Sequence, residues 1–134
     1  MYPGYCILFV NQLLSTPAYS VCLCTGDIRL VGGSDPSEGR VELFYEGEWG
    51  RVLAGTITEV DHVACRQAGY PYSEGIQSFG QGSGPVWLFI LGCIGDEERL
   101  EQCLHNGWRS ICSLCADFGV RCRGKCSTRA THTL

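Results

Sequence analysis

The chain has 134 residues, ten of them cysteines, and a formal net charge of −4 at pH 7. This length suits one domain with short extensions. A cysteine content of about 7 % is typical of small domains from oxidising compartments, where disulfides support a modest core. The composition argues against a disordered chain and against a cytosolic protein, and the charge excludes the strong basic excess of a dedicated nucleic-acid-binding protein.

The N-terminal segment carries no charge before Asp27 and contains an apolar run at residues 5–14. Residues 18–20 (AYS) match a small-x-small cleavage signal. We therefore expect residues 1–20 to be a secretory signal peptide, although no Lys or Arg precedes the apolar run. That run is too short for a membrane span and is interrupted by Asn11, so we expect no membrane span and a secreted or extracellular chain.

Three strands and two turns are predicted first along the chain. Residues 27–33 form a short apolar segment that ends in two glycines, which predicts a strand and a turn. Residues 40–45 alternate apolar and polar side chains, as a half-buried strand does. Residues 46–48 (EGE) predict a tight turn into a second hairpin arm at residues 49–53.

A helix follows at residues 58–68, with Thr58 as its cap and Asp61 completing a capping-box-like pattern before Gly69 ends it. The remaining predicted elements are a loop at 71–84, a buried strand at 86–91, a short helical turn at 97–103, a closing strand at 119–122 and a polar tail at 124–134. The chain shows no internal repeat, so it predicts one module.

Six segments along the chain carry a specific resemblance. They are GDIRLVGGSDPSEGRVELFYEGEWGRV, VACRQAGYP, FGQGSGPVWLFILGC, CIGDEERLEQC, HNGW and DFGVRC, in that order. Together they resemble a scavenger receptor cysteine-rich (SRCR) domain over residues 27–123. Tyr70 occupies a position that is Tyr in the six-cysteine subgroup and Cys in the eight-cysteine subgroup, so the chain resembles the six-cysteine subgroup, group A, more closely. The resemblance implies an α+β fold: a single disulfide-stabilised domain with a curved, mainly antiparallel β-sheet cradling one α-helix.

The resemblance also implies two disulfides, Cys65–Cys122 and Cys93–Cys103. Family members usually have a cysteine where this chain has Leu53, so Cys112 loses the partner that the family pattern supplies. A Cys112–Cys115 bridge, a free thiol and an intermolecular disulfide all stay open. Four other cysteines lie outside the domain, and their pairing also stays open: Cys6, Cys22, Cys24 and Cys126. Cys6 would be removed with a signal peptide.

The chain offers candidate residues for two kinds of metal site, and neither site is expected. The spacing C-x2-C-x6-C-x3-C of Cys112, Cys115, Cys122 and Cys126 offers four thiolates, but it is not a common zinc pattern and the resemblance assigns Cys122 to a disulfide. Many family members hold a cation through acidic residues. The corresponding positions here lack carboxylates: Ala54, Gly55, Phe89, Ile90, Ile111 and Ala116. Calcium requires several oxygen ligands, which these side chains do not provide. We therefore expect no metal, and we expect no other cofactor.

Two sets of residues are predicted to bind ligands. Residues 104–134 carry five basic residues against one acidic residue, which fits either a solvated charge distribution or a basic patch for an anionic ligand. The predicted contacts of such a patch are Arg109, Arg121 and Arg123. The second set is Phe89, Ile90 and Ile111. These residues would form an apolar interaction patch if they are exposed together, and burial inside the domain is an equally good alternative.

No catalytic motif is present, since the chain contains neither G-x-S-x-G nor H-E-x-x-H. The predicted function is therefore an extracellular, non-enzymatic binding module of scavenger-receptor or innate-defence type. Its partner would be an anionic ligand or an extracellular protein, bound without calcium. Three alternatives stay open: a structural or protein-interaction module, a fragment of a larger mosaic or membrane protein, and an accessory domain of an extracellular protease or oxidase.

Overall fold

The computed structural model describes residues 6–10, 20–55, 59–112 and 115–124. Its strands are β1 Cys6–Val10, β2 Ser20–Cys24, β3 Ile28–Gly32, β4 Glu38–Tyr45, β5 Glu48–Ala54, β6 Tyr72–Ile76, β7 Val86–Gly92, β8 Leu104–His105 and β9 Gly119–Arg123. Helix α1 spans Val60–Ala68, and a 3-10 turn spans Leu100–Gln102. Among these described elements no helix has the length and apolar character needed to cross a membrane.

Strands β3 to β9 form one seven-stranded sheet in the order β6-β9-β4-β5-β7-β8, with β3 paired to β4. All of its pairings are antiparallel except that of β5 with β7, which is parallel. Strands β1 and β2 form a separate antiparallel pair. The expected α+β fold, a mainly antiparallel sheet with one helix, is confirmed. Most of the expected signal peptide and the tail from residue 125 lie outside the described residues.

The helix begins two residues later than expected. Glu59 occupies the cap position with a φ of 74° and no side-chain hydrogen bond, and Thr58 lies outside the described residues. Asp61 does fall in the first turn, where a negative charge faces the positive end of the helix. Gly69 ends the helix as predicted, because its φ of 101° is a left-handed conformation that glycine adopts without strain.

The prediction of a continuous loop at residues 71–84 is wrong at its start, where β6 forms. This strand is at one edge of the sheet and is paired to β9, with a bulge between Ser73 and Gly75. Its side chains are exposed or half-buried throughout, so it lacks the apolar alternation that identifies a half-buried strand from sequence. Hydrogen bonding to a strand almost fifty residues later defines it instead.

The hydrophobic core lies between α1 and the sheet, and α1 packs against β3, β6 and β9. Fully buried side chains come from β4, β5, α1, β7, the 3-10 turn and β9: Val41, Leu43, Val52, Leu53, Val60, Val63, Leu88, Ile90, Leu100 and Val120. Burial of such a side chain contributes about 1.5–3 kcal/mol of transfer free energy. The core therefore depends on segments from across the whole domain.

Both disulfides that the resemblance implies are present, together with Cys112–Cys115. Their sequence separations are 57, 10 and 3 residues for Cys65–Cys122, Cys93–Cys103 and Cys112–Cys115 respectively. Closing such loops in the unfolded chain corresponds to about 4, 3 and 2 kcal/mol of stability in the chain-entropy account. Cys24 is also disulfide-bonded, and the predictions for Cys6, Cys22 and Cys126 fall on side chains outside the described residues.

Candidate ligand-binding faces

Arg121 and Arg123 lie side by side on the outer face of β9. Residues two apart on a strand point to the same side, and Cys122 between them points into the core. Their side chains are 50% and 60% exposed. Nε of Arg121 lies 3.2 Å from a Glu38 carboxylate oxygen. Glu74 lies 3.8 Å from the Arg121 guanidinium and 3.4 Å from that of Arg123.

An exposed aromatic side chain completes this surface. The guanidinium carbon of Arg123 lies 4.8 Å from the centre of the Tyr72 ring, within the range of a cation–π contact. Tyr72 is 54% exposed and is paired directly with Arg123 across the two strands. We call this surface the β6–β9 face. It consists of Glu38, Tyr72, Glu74, Arg121 and Arg123.

Arg109, the third predicted contact, lies elsewhere. Its N–H donates to the carbonyl of Trp87 at 2.9 Å, and its guanidinium is 5.1 Å from the Trp87 ring and pairs with Glu46. Glu46 directly follows β4, whereas Glu38, the partner of Arg121, begins it. A strand of that length spans about 25 Å. The structure therefore brings Arg121 and Arg123 together and separates Arg109 from them.

The predicted apolar patch does not form, because its members lie in different environments. Ile90 is completely buried, Phe89 is half-buried and Ile111 is 94% exposed. Alternation along β7 explains the difference, since Leu88 and Ile90 face the core while Phe89 faces the other side. The alternative of deeper burial thus holds for Ile90.

A different apolar surface surrounds the Cys93–Cys103 disulfide. Ile94 is 83% exposed and Leu104 is also exposed. Together with Glu97 and His105 they line a groove of about 610 Å³ beside the edge strand β8. The sequence carries a signal for this surface, since Ile94 is an apolar residue at the start of a short, acidic, disulfide-closed loop.

Glu97 orders that loop. Its carboxylate accepts hydrogen bonds from the backbone N–H groups of Ile94 at 2.9 Å and Gly95 at 2.8 Å. The hydrogen bond from Ile94 is the main reason that the pKa of Glu97 lies below its ordinary value, and the bond from Gly95 and the nearby Arg66 lower it further, while desolvation opposes them. Arg66 also donates to the carbonyls of Gly95 and Glu97, at 2.6 Å and 2.8 Å.

Metal ligation finds little support in the described part of the chain. One group there has ligand atoms close together, namely Cys93, Glu97 and Cys103, but both cysteines are engaged in a disulfide. The zinc alternative fails for the same reason, because Cys112 is bonded to Cys115 and Cys122 to Cys65. A disulfide sulfur is not the thiolate that zinc requires.

The comparison with known proteins agrees with this fold and cysteine arrangement. Residues 31–123 match the family described as the scavenger receptor cysteine-rich domain. The chain belongs to this family. The third SRCR domain of murine neurotrypsin has a similar structure, with a TM-score of 0.60 and 36% identity, covering 71% of this chain and 94% of that domain.

Two curated relatives that match this SRCR domain are much longer than the matched region. The macrophage scavenger receptor types I and II of Bos taurus is 44% identical over 108 residues, covering 71% of this chain and 22% of the receptor. Lysyl oxidase homolog 4 of Bos taurus is 39% identical over 142 residues, covering 96% of this chain and 18% of that protein. The chain thus spans about a fifth of the length of these relatives.

Proposed function

We propose that this SRCR domain is an extracellular recognition module that binds an anionic or acidic protein ligand through the β6–β9 face, without calcium. One observation carries the proposal: two half-exposed arginines, Arg121 and Arg123, stand side by side next to the exposed ring of Tyr72. Arginine and tyrosine are enriched among the residues that dominate binding energies. The similarity to a macrophage scavenger receptor supports a scavenger or innate-defence role.

Binding would proceed by exchange of ion pairs. Glu74 already lies near both guanidinium groups, so a ligand carboxylate, sulfate or phosphate would compete with it for them. The planar guanidinium of arginine suits such anions, because it can donate two parallel hydrogen bonds. Since both arginines are exposed, the attraction would be screened by salt and would weaken as ionic strength rises.

Calcium independence follows from the side chains at the positions where family members hold a cation. Ala54 is paired with Ile90 between β5 and β7, and Ile90 is buried in the core. Ile111 and Ala116 are exposed but carry only carbon atoms in their side chains. Calcium prefers six to eight oxygen ligands, usually with carboxylates, which these side chains do not provide.

The experiment measures binding of heparin and dextran sulfate to the protein across a salt series, with calcium and with a chelator. Arg121→Ala/Arg123→Ala should weaken binding by about tenfold or more and flatten its dependence on salt, since two charge-assisted contacts are lost. Arg109→Ala removes one positive charge about 25 Å away and should leave binding near the parent value, whereas Arg121→Ala, which removes the same charge from the β6–β9 face, should weaken binding. Unchanged binding in the double variant, or binding that requires calcium, would overturn the proposal.

A second function, as a protein-interaction module of a larger mosaic protein, is favoured by the apolar groove between Ile94 and Leu104. Exposed apolar patches on monomeric domains often mark contact sites. Light scattering would show self-association of the parent, and Ile94→Ser should abolish it. A monomeric parent with unaltered solubility in the variant would remove this candidate. The third alternative, an accessory domain of an extracellular oxidase or protease, would place any catalysis in another part of a larger protein. The similarity to lysyl oxidase homolog 4 covers 18% of that relative.

A further inference from the structure

The Cys112–Cys115 disulfide lies outside the hydrophobic core. Both cysteines are half-buried, and the residues on either side, Ile111 and Ala116, are exposed. In the two other described pairs every cysteine belongs to the core cluster or packs against it: Cys65, Cys93, Cys103 and Cys122. Among these three pairs, Cys112–Cys115 is the one in which neither cysteine is buried, since Cys65, Cys103 and Cys122 are buried and Cys93 is half-buried. A nucleophile from solvent must reach a sulfur atom to break the bond, so this pair offers access from either side.

Backbone hydrogen bonds hold both ends of this loop independently of the disulfide. Before the loop, the N–H of Arg109 donates to the carbonyl of Trp87 in β7 at 2.9 Å. After it, the N–H of Phe118 donates to the carbonyl of Val52 in β5 at 3.0 Å. Since these strands are in the centre of the sheet, the segment stays attached to the fold when the disulfide opens.

The bridge also constrains the unfolded chain least. It joins residues three positions apart, compared with 10 and 57 positions for the other two described pairs. Because loop-closure entropy grows with loop length, the shortest loop contributes least to stability. Opening this disulfide therefore costs less folding free energy than opening either of the others, and accessible disulfides of this kind are the ones that exchange.

We propose that Cys112–Cys115 is a thiol–disulfide exchange site that takes an external thiol as its substrate. The thiolate of the incoming molecule attacks one sulfur of the pair, a new sulfur–sulfur bond forms, and the Cys112–Cys115 bond breaks. The electron pair of the broken bond leaves with the second cysteine as a thiolate, so one disulfide replaces another and no oxidant is consumed. That released thiolate can reverse the step and expel the substrate.

The test treats the oxidised full chain with increasing concentrations of reduced glutathione, quenches with acid and maps mixed disulfides by peptide mass spectrometry. We expect glutathione on Cys112 or Cys115 at concentrations at least about fivefold below those that modify the core pairs, as the difference in loop closure implies. First modification of Cys65, Cys93, Cys103 or Cys122, or of none until the protein unfolds, would refute the site.

Cys112→Ser/Cys115→Ser is the matched variant. It should form no adduct in this segment and should still fold cooperatively, with a smaller loss of unfolding midpoint than Cys93→Ser/Cys103→Ser causes, because its loop is shorter and backbone hydrogen bonds hold the loop at both ends. A variant that fails to fold would contradict the proposal, which requires the open form to be stable. Electrophoresis without reductant distinguishes the source of the thiol. A covalent dimer that the parent forms and the variant does not would identify a second copy of the chain as the source. A monomeric adduct would identify a small thiol.

Discussion

Asp117 and Arg51 form an ion pair on the sheet, with Oδ1 of Asp117 3.2 Å from Nε of Arg51. The Asp117 side chain is completely buried, and that of Arg51 is mostly so. The second carboxylate oxygen of Asp117 accepts a hydrogen bond from the N–H of Gly82. A single carboxylate thus joins the closing segment before β9, strand β5 and the loop that precedes β7.

Asp117→Ala should lower the free energy of unfolding by about 3 kcal/mol, because it leaves the positive charge of Arg51 buried without its partner. Urea denaturation followed by tryptophan fluorescence measures the effect. Glu48→Ala is the control, since Glu48 is exposed and its loss should change stability by less than about 0.5 kcal/mol. Equal stability of the two variants would show that the pair contributes no more than a surface charge.

Glu97→Gln should change the pH dependence of stability on the acid side. The pKa of Glu97 is lowered in the folded protein, so its ionised form is stabilised by folding. That contribution is present above the pKa of glutamate in the unfolded chain, about 4.3, and is lost as the pH falls through the folded value. Thermal unfolding from pH 7 to strong acid should therefore show the parent's advantage over the variant shrinking as pH falls. A pH-independent difference would contradict this assignment.

Gly50→Ala should destabilise the domain by about 1–3 kcal/mol, because an added methyl group would overpack a filled region. A Cβ at Gly50 would meet the Trp87 ring and would lie 2.7 Å from the carbonyl oxygen of Pro85. Gly55→Ala is the matched control, since nothing lies within 4 Å of a Cβ there. Thermal unfolding of both variants compares the two positions, and similar melting temperatures would disprove close packing at Gly50.

Glu74→Gln should strengthen polyanion binding about two- to fivefold at low salt, because it removes the carboxylate that competes for Arg121 and Arg123. Glu48→Gln makes the same change in net charge at the opposite end of β4 and should have a smaller effect. The difference between the variants should shrink as salt is added. Equal gains from both would indicate a general charge effect and argue against a site on the β6–β9 face.

Local patterns predicted β3, β4, β5, β7 and β9 but not β1, β2, β6 or β8. Strands such as β4 and β7 place apolar side chains in the core, and that preference is visible in a few consecutive residues. In β6, Tyr72 and Ile76 are exposed and a bulge breaks the alternation, so its existence depends on hydrogen bonds to β9. The late start of α1, at Val60, likewise depends on the backbone conformation of Glu59.

The sequence by itself determined the resemblance to the SRCR family, because the order of its motifs is a property of the linear chain, and that resemblance implied the fold class and two cysteine pairs. Only the tertiary structure decided which of Arg109, Arg121 and Arg123 are neighbours and that Glu38 and Glu74 pair with two of them. It also buried Ile90 away from Ile111 and joined Cys112 to Cys115. The physical reason is that strand register sets which side chains meet across the sheet, and segments far apart in sequence supply them.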